Sequence, residues 1–334
     1  MKIGFFDAKA EEKNYFSAKL IGHELFFTPD SLKKGNAVAA KGFDILSVFI
    51  GSLLDRETLA ELSNLKFIAT RTTGYDHIDV KAAGEKNIPV SFVPSYGDHT
   101  VAEFTFGLLL DLTRKIRQCS ERVRREDEFT TDGLQGAELY GKTMGVVGTG
   151  RIGSNVARIA KALDMKVIAY DVSPNKELAE KIGFDYVTFE GLLANSDVIS
   201  LHVPYLSSTH HLINKENIGL IKKGAILLNT ARGGVVETEA LVAALKQGIL
   251  SAAGLDVLEE ESATKNEGDL MLYNRLSDAE MKIVLQNHLL MEMDNVIITP
   301  HNAFNTREAV KRIMDTTAEN ILAFAAGKPV NLVK

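Results

Sequence analysis

Six residues, Gly148-Thr149-Gly150-Arg151-Ile152-Gly153, have the spacing of a phosphate-cradling turn. They follow the apolar run Met144 to Val147 and open a helical run to Leu163, the strand-turn-helix setting that a GxGxxG pattern needs to hold a dinucleotide. The first glycine permits the turn, the second lets pyrophosphate approach the backbone, and the third lets helix meet strand. The helix N-terminus supplies unpaired N–H groups and a partial positive charge. Asp171 stands at the end of the next strand, 18 residues past the last glycine, where a carboxylate can accept both ribose hydroxyls and repel a 2′-phosphate. Val172-Ser173 follows instead of arginine, so the pattern predicts NAD over NADP. The bland reading is a glycine turn followed by an aspartate that caps a helix.

A nicotinamide site calls for hydride transfer with proton transfer, hence for an acid/base and an anion anchor. Three residues sit where predicted strands end, the edge at which an open parallel sheet presents ligands. Arg232 follows Leu228-Asn229-Thr230, and its fork could hold a carboxylate bidentately and polarise a neighbouring carbonyl. Glu261 closes an acidic cluster with Glu259 and Glu260 after Leu255-Asp256-Val257. His301 follows Val296-Ile297-Ile298-Thr299-Pro300. Taken singly, Arg-Gly-Gly is a surface turn, the acidic cluster a solvated loop and the histidine polar surface.

Positioning these side chains requires strands and helices in alternation. Short β-branched and aromatic runs at Lys2 to Phe6, Glu24 to Thr28, Asp44 to Ile50, Phe67 to Thr72 and Pro89 to Val93 predict one doubly wound sheet. Thr143 to Val147, Lys166 to Tyr170, Asp197 to Val203, Ala225 to Asn229, Ser251 to Asp256 and Asn295 to Thr299 predict a second, of six parallel strands. Between them, Val101, Phe104, Leu108, Leu112 and Ile116 recur at helical spacing within one long helix from Thr100 to about Arg125, with the length of an interdomain strut. Thr306 to Phe324 predicts a further helix, stopped at Gly327-Lys328-Pro329. Only 34 residues follow Pro300, too few for a third domain, so this helix is expected to pack back on the first. That gives a discontinuous domain, 1–99 plus 301–334, around a domain of 100–300, with a hinge and a cleft between them.

At 334 residues the chain has room for about two domains at roughly 150 residues each. A composition 45% hydrophobic and 25% charged is that of a globular protein, not a disordered one. The net charge of −6 disfavours phosphate backbones and anionic lipid. The dense basic run Arg122-Val123-Arg124-Arg125 is followed at once by Glu126, Asp127 and Glu128 and reads as a solvated helix end. No nucleic-acid or membrane partner is expected. Cys119 is the only cysteine, which excludes an intrachain disulfide and a cysteine-based zinc cluster. The N-terminus turns acidic and polar after six residues, too early for a secretory leader, and the expected compartment is the cytoplasm. Asp76, His77, Asp79 and the pair His210-His211 are metal-ligating types, but neighbours on a strand or helix point apart and nothing resembles HExxH, so no metal is expected.

Over nearly its whole length the chain resembles the D-isomer-specific 2-hydroxyacid dehydrogenases. The resemblance rests on GTGRIG with Asp171, DVISLHVP, NTARGG with Arg232, GLDVLEEE with Asp256 and Glu261, and ITPHNAF with His301. It implies a flavodoxin-like substrate domain and a Rossmann NAD-binding domain, both α/β with doubly wound parallel sheets. It also implies that Arg232 binds the substrate carboxylate and carbonyl, that His301 exchanges the proton, and that Glu261 hydrogen-bonds His301. A carboxylate beside an imidazole favours the imidazolium, which can donate to a nascent alkoxide. By the same resemblance the cofactor touches Gly148, Gly150, Arg151, Ile152, Gly153, Asp171, His202, Val203, Pro204, Thr209, Thr230, Ala231 and Asp256. The last of these would lie near the nicotinamide carboxamide. The loop from Arg71 to Asp79 resembles the one whose backbone N–H groups hold the substrate carboxylate, which points to Thr73, Gly74 and Tyr75. A homodimer through the cofactor domain is implied.

Substrate preference is read from length and side-chain size. Ser262 to Asp294 spans 33 residues, the longer segment of the D-lactate branch. Phe49, Tyr96 and Phe304 match substrate-facing or aromatic positions there and would make a small apolar wall for a methyl group, although lactobacillar enzymes carry Tyr where this chain has Phe49. The expected function is NAD-dependent D-lactate dehydrogenase. Glyoxylate, hydroxypyruvate or branched 2-oxo acid reduction is the alternative within the family, and an NAD-sensing binding protein like the corepressors that share this fold is the alternative outside enzymes.

Overall fold

The computed structural model describes residues 1–126, 128–265 and 277–333. Asp127, residues 266–276 of the Ser262 to Asp294 segment, and Lys334 lie outside the described residues. The chain divides into two compact units, Met1–Tyr96 with Asn305–Lys334, and Gly97–Phe304.

The first unit is built on β1 (Lys2–Phe5), β2 (Glu24–Phe27), β3 (Ile45–Val48), β4 (Phe67–Thr70) and β5 (Val90–Ser91). They run parallel in the order β2-β1-β3-β4-β5. Ile-Leu-Ser-Val and Phe-Ile-Ala-Thr are buried at every position, because helices cover both faces and an alternating pattern would leave polar groups in the core. Leu46, Val48, Leu59 and Ile68 fill one layer; Phe5, Phe16, Ile45, Phe67 and Ile321 fill the other. Ile321 belongs to the helix Arg307–Ala325, which begins where the Thr306 hydroxyl accepts from the Ala309 amide. That helix lies on the sheet through Phe324, whose ring stacks on Phe67 at 4.2 Å.

The second unit carries β6 (Thr143–Val147), β7 (Lys166–Tyr170), β8 (Asp185–Tyr186), β9 (Val198–Leu201), β10 (Ala225–Asn229), β11 (Leu250–Leu255) and β12 (Val296–Ile298). The order is β12-β11-β10-β9-β6-β7-β8, all parallel. Strand addition reverses between β6 and β9, so a crevice opens at their C-terminal ends. The sequence predicts six strands here and the structure has seven. The missed one, β8, is a two-residue edge strand that pairs only through Ile168↔Asp185 and Ala169↔Tyr186, too short to leave a periodic signal.

The single long helix expected from Thr100 to about Arg125 is broken. It ends at Arg114, Lys115 takes a left-handed φ of 53°, and a second helix runs Ile116–Glu121 before one wider turn at Arg122–Glu126. The cause is local hydrogen bonding. The Asp111 carboxylate takes the Arg117 amide at 2.7 Å, and the Thr113 carbonyl, which would have received that amide, accepts from Ala137 at 2.8 Å. A Cβ on Gly136 would lie 2.3 Å from that carbonyl, so only glycine lets the strands of chain meet there. The helix Thr100–Arg114 covers β10, β11 and β12, with Leu108 and Leu112 against Gly254. Its length serves the second unit's own core. No helix among the described residues is long and apolar enough to cross a membrane.

Candidate active site

The glycine turn follows β6 at the strand-order reversal. Gly148 has φ 88°, and a Cβ there would lie 2.7 Å from the His202 carbonyl, so the turn presses directly on the end of β9. A Cβ on Gly153 would fall 1.9 Å from the Gly148 carbonyl, which fixes the approach of helix Arg151–Ala162 to the strand. Gly150 differs from both. Its φ of −63° suits any residue and nothing lies within 4 Å of a Cβ built on it. Neither backbone strain nor internal packing requires glycine there, and open space over the uncapped helix N-terminus is the cradle that a pyrophosphate needs. Arg151 is exposed, while Ile152 packs into the core beneath.

Asp171 lies beside this turn. Its Oδ2 accepts from the Thr149 amide (2.7 Å) and hydroxyl (3.0 Å), and its Oδ1 from the Ser173 amide (2.9 Å). A carboxylate offers about four lone-pair sites, so three bonds leave room for a ribose hydroxyl. Thr149 is held in turn by the Tyr186 hydroxyl at 2.7 Å. Sequence reasoning missed both supports: Thr149 stands between two glycines that drew all the attention, and Tyr186 sits on the unpredicted β8.

After β9, the half-buried His202 pairs its Nε2 with the Ser200 hydroxyl at 2.7 Å, and burial holds its pKa down to about 3. It is therefore neutral at ordinary pH. The exposed Pro204 begins a turn that Thr209 closes, its hydroxyl donating to the Pro204 carbonyl and accepting from the Leu206 amide. Val203 lies against Gly148. The Thr230 hydroxyl pairs with Thr105 of the covering helix (3.1 Å), so its side chain is spent on packing the strand end.

Arg232 stands three residues beyond β10 with extended backbone, its Nη1 donating to the Ala231 carbonyl at 2.8 Å. Asn229, 1% exposed, braces the turn: its Nδ2 donates to the Arg232 carbonyl and its Oδ1 accepts from the Ala231 amide. A Cβ on Gly233 would lie 1.9 Å from the Leu258 carbonyl carbon, so the Arg232 turn is pressed onto the turn that bears Glu261.

Asp256 directly follows β11 and organises the loop after β12. Its Oδ1 accepts from the Thr299 hydroxyl (2.6 Å) and the Asn302 amide (2.8 Å), its Oδ2 from the Ala303 amide (2.9 Å), and its carbonyl from the His301 amide (2.9 Å). Burial pushes this carboxyl above its ordinary range, against the pull of those donors and of His301. The brace is needed because His301 has φ 52°, a conformation that costs a non-glycine residue on the order of 1 kcal/mol. Held so, His301 places Nδ1 3.2 Å from Oε2 of Glu261, with the imidazole 18% and the carboxylate 42% exposed. A proton on Nδ1 directed at the carboxylate leaves Nε2 as the nitrogen that exchanges a proton. Arg232, Glu261 and His301 thus come from the C-terminal ends of three adjacent strands, β10, β11 and β12.

In the first unit, the Thr73 hydroxyl donates to the Val93 carbonyl, the Gly74 carbonyl accepts from the Thr72 hydroxyl, and the exposed Tyr75 ring meets Phe92 edge-on at 5.8 Å. The Phe49 amide donates to Asp7, and the Arg71 guanidinium lies 5.9 Å from its ring. The Tyr96 carbonyl accepts from Arg312. Phe304, half-buried, ends the second unit. Among the described residues no three His, Cys, Asp or Glu side chains gather to hold a metal; His77 pairs with Thr70 and His211 with Glu259. A cavity of about 460 Å³ lined by Asp111, Lys115, Ser251 and Asn295 opens at the opposite, N-terminal edge of the second sheet, away from all of these groups.

Residues 106–303 match the family model described as D-isomer specific 2-hydroxyacid dehydrogenase, NAD binding domain. The chain is 39% identical over 331 residues to 2-hydroxyacid dehydrogenase homolog 1 of Schizosaccharomyces pombe, covering 98% of this chain and 97% of that one. It is 36% identical over 329 residues to the aromatic 2-oxoacid reductase of Clostridium sporogenes, covering 97% and 96%. A crystal structure of D-lactate dehydrogenase from Aquifex aeolicus complexed with NAD and lactic acid matches with a TM-score of 0.88 at 37% identity, covering 98% and 96%. With a glycine turn open at Gly150, an aspartate beside it and a histidine paired to a glutamate on the same sheet edge, this chain belongs to the D-isomer-specific 2-hydroxyacid dehydrogenases, oxidoreductases that use NAD.

Proposed function

We propose that the protein interconverts a small 2-oxo acid and its D-2-hydroxy acid, with pyruvate and D-lactate as the preferred pair. The observation that carries this reading is the His301–Glu261 pair on the strand end next to Arg232. The Gly150 cradle and Asp171 would hold NAD, which would supply the hydride acceptor or donor. Arg232 binds the substrate carboxylate through its planar fork and polarises the carbonyl. In the first unit, Thr73, Gly74 and Tyr75 carry backbone N–H groups of the kind that bind a carboxylate. Protonated His301 gives its proton to the carbonyl oxygen as hydride reaches the carbon, and neutral His301 accepts it in oxidation. Glu261 orients the ring by holding Nδ1. Phe49 and Tyr96 of the first unit and Phe304 of the second are each aromatic side chains of a kind suited to a methyl group. Asp256 accepts three bonds from the loop that carries His301, and its remaining lone pair is open to the nicotinamide carboxamide.

Support for pyruvate comes from the relative solved with lactic acid, and the aromatic 2-oxoacid reductase supports a larger side chain at the same pocket. The exposed apolar side chains Leu110, Ile116 and Val123 support a homodimer through the second unit. Sedimentation showing only a 36.5 kDa species would remove the dimer. The test of the chemistry is NADH consumption with pyruvate, glyoxylate, hydroxypyruvate, 2-oxoisocaproate and phenylpyruvate. Pyruvate is expected to give the highest kcat/KM, and His301→Ala is expected to lower kcat about 10²-fold or more with NADH binding retained. Unchanged turnover in that variant sinks the assignment.

A further inference from the structure

The three consecutive glutamates after β11 occupy three different environments. Glu260 is exposed and has a φ of 51°, a left-handed turn between two glutamates that meet different partners. Glu261 meets His301. Glu259 is directed inward, its side chain 10% exposed. Its Oε1 pairs with Nε2 of His211 at 2.6 Å, and its Oε2 accepts from the Thr238 hydroxyl at 2.7 Å and the Thr238 amide at 3.2 Å. Thr238 opens the helix Thr238–Lys246, whose preceding residue Glu237 gives no side-chain cap, so Glu259 supplies the anion that a helix N-terminus favours. The Glu259 carbonyl is held as well, by Nδ2 of the fully buried Asn287, which also binds the Thr264 hydroxyl.

Relative strengths decide which contact fixes this turn. The Glu261–His301 pair has one partner 42% exposed, and ion pairs in that setting hold little. Charge-assisted bonds in a covered site are the strong ones, and Glu259 makes them to two elements at once. We propose that Glu259, gripped by His211 and Thr238, is the positioning residue that keeps Glu261 against His301. The proposal rests on Glu261 acting as the partner of His301, and Glu259 acts only through it.

The experiment measures kcat, KM for pyruvate and the NADH Kd in Glu259→Ala, Glu261→Ala, the double variant, His211→Leu and His211→Gln. Glu259→Ala is expected to lower kcat about tenfold while KM and the NADH Kd move less than about threefold. In the Glu261→Ala background it is expected to lower kcat no further, the non-additivity of residues acting through one another. His211→Leu is expected to lower kcat, and His211→Gln, which keeps a donor at similar reach, to restore most of it. A drop in Glu261→Ala with none in Glu259→Ala overturns the proposal, and so does a multiplied loss in the double variant. Unchanged kcat in Glu261→Ala instead overturns the underlying assignment of Glu261, and the two failures are thereby told apart. Should Glu259→Ala not fold, equal kcat in the two His211 variants overturns the proposal alone.

Discussion

Each sheet carries an arginine just past a strand, and the two are used in opposite ways. Arg71 follows β4 of the first unit, 1% exposed, and its guanidinium is consumed by the fold: it lies 3.0 Å from Glu12 and donates to Ser47 and to the Phe6 and Asp7 carbonyls. Arg232 follows β10 of the second unit, half-buried, on a turn braced from behind by Asn229. Both begin as Arg-plus-small-residue motifs at a strand end. What separates them is where their supports lie: Arg71 reaches back under β1 and β3, whereas Arg232 stands half-buried on its turn with Nη1 on the neighbouring Ala231 carbonyl.

Replacement should therefore cost stability at one and catalysis at the other. Arg71→Met strands Glu12 and the Phe6 and Asp7 carbonyls without a cation, and the expected loss is about 3–5 kcal/mol in ΔG of unfolding, seen by urea titration. Arg232→Met is expected to change that titration by less than ~1 kcal/mol while kcat/KM for pyruvate falls about 10³-fold, through both KM and kcat. Equal effects of the two variants on unfolding would erase the contrast.

Asp256 and Gly150 sharpen it within the second unit. Asp256→Asn replaces an acceptor that serves three donors with a group that can serve only some of them, so ~1–3 kcal/mol is expected to be lost together with the His301 turn. Its signature is a fall in both Tm and kcat, and wild-type kcat at lowered Tm would show that His301 keeps its place unaided. Gly150→Ala adds a methyl where this chain has only open space. The expected result is an NADH Kd raised about tenfold by fluorescence titration with Tm unmoved; unaltered binding would mean the cradle lies elsewhere.

The smallest expected effect is on acid stability. Burial keeps His202 neutral down to about pH 3, while in the unfolded chain it titrates at its ordinary 6.5. The unfolded state thus binds the extra proton between those values, and the stability present above pH 6.5 is lost as pH falls towards 3. His202→Asn removes that share, so the drop in urea midpoint between pH 7 and pH 5 is expected to be narrower in the variant. Equal drops would indicate that His202 is not desolvated.

Legibility in the sequence followed the range of the interaction. Thr306, where the last helix was read to begin, acts on an amide three residues away, and such a local cap leaves a residue-type signal. Strands such as β3, β4 and β9 were legible because burial on both faces demands unbroken apolar runs. The break at Lys115 was not legible, since it depends on Ala137 taking the Thr113 carbonyl. Of the site, Arg232 and His301 were readable by type and place at strand ends and Glu261 only through the family resemblance, while Asn229 and Thr149 were passed over, because a brace is recognisable only by what it touches. The acidic cluster was readable only as a solvated loop, and nothing in three adjacent glutamates says that one faces His211, one faces solvent and one faces His301.

By itself, then, the sequence determined the alternation of strands and helices, the glycine turn with its acidic partner, and the family. Those features are encoded in residue type and in spacing along the chain, which survive without a third dimension. Tertiary structure alone decided that Asp256 clamps the His301 turn, that Arg71 is internal and that Glu259 turns away from its neighbours. Each of those depends on donors and acceptors between 21 and 65 residues apart, and only packing decides which of them meet.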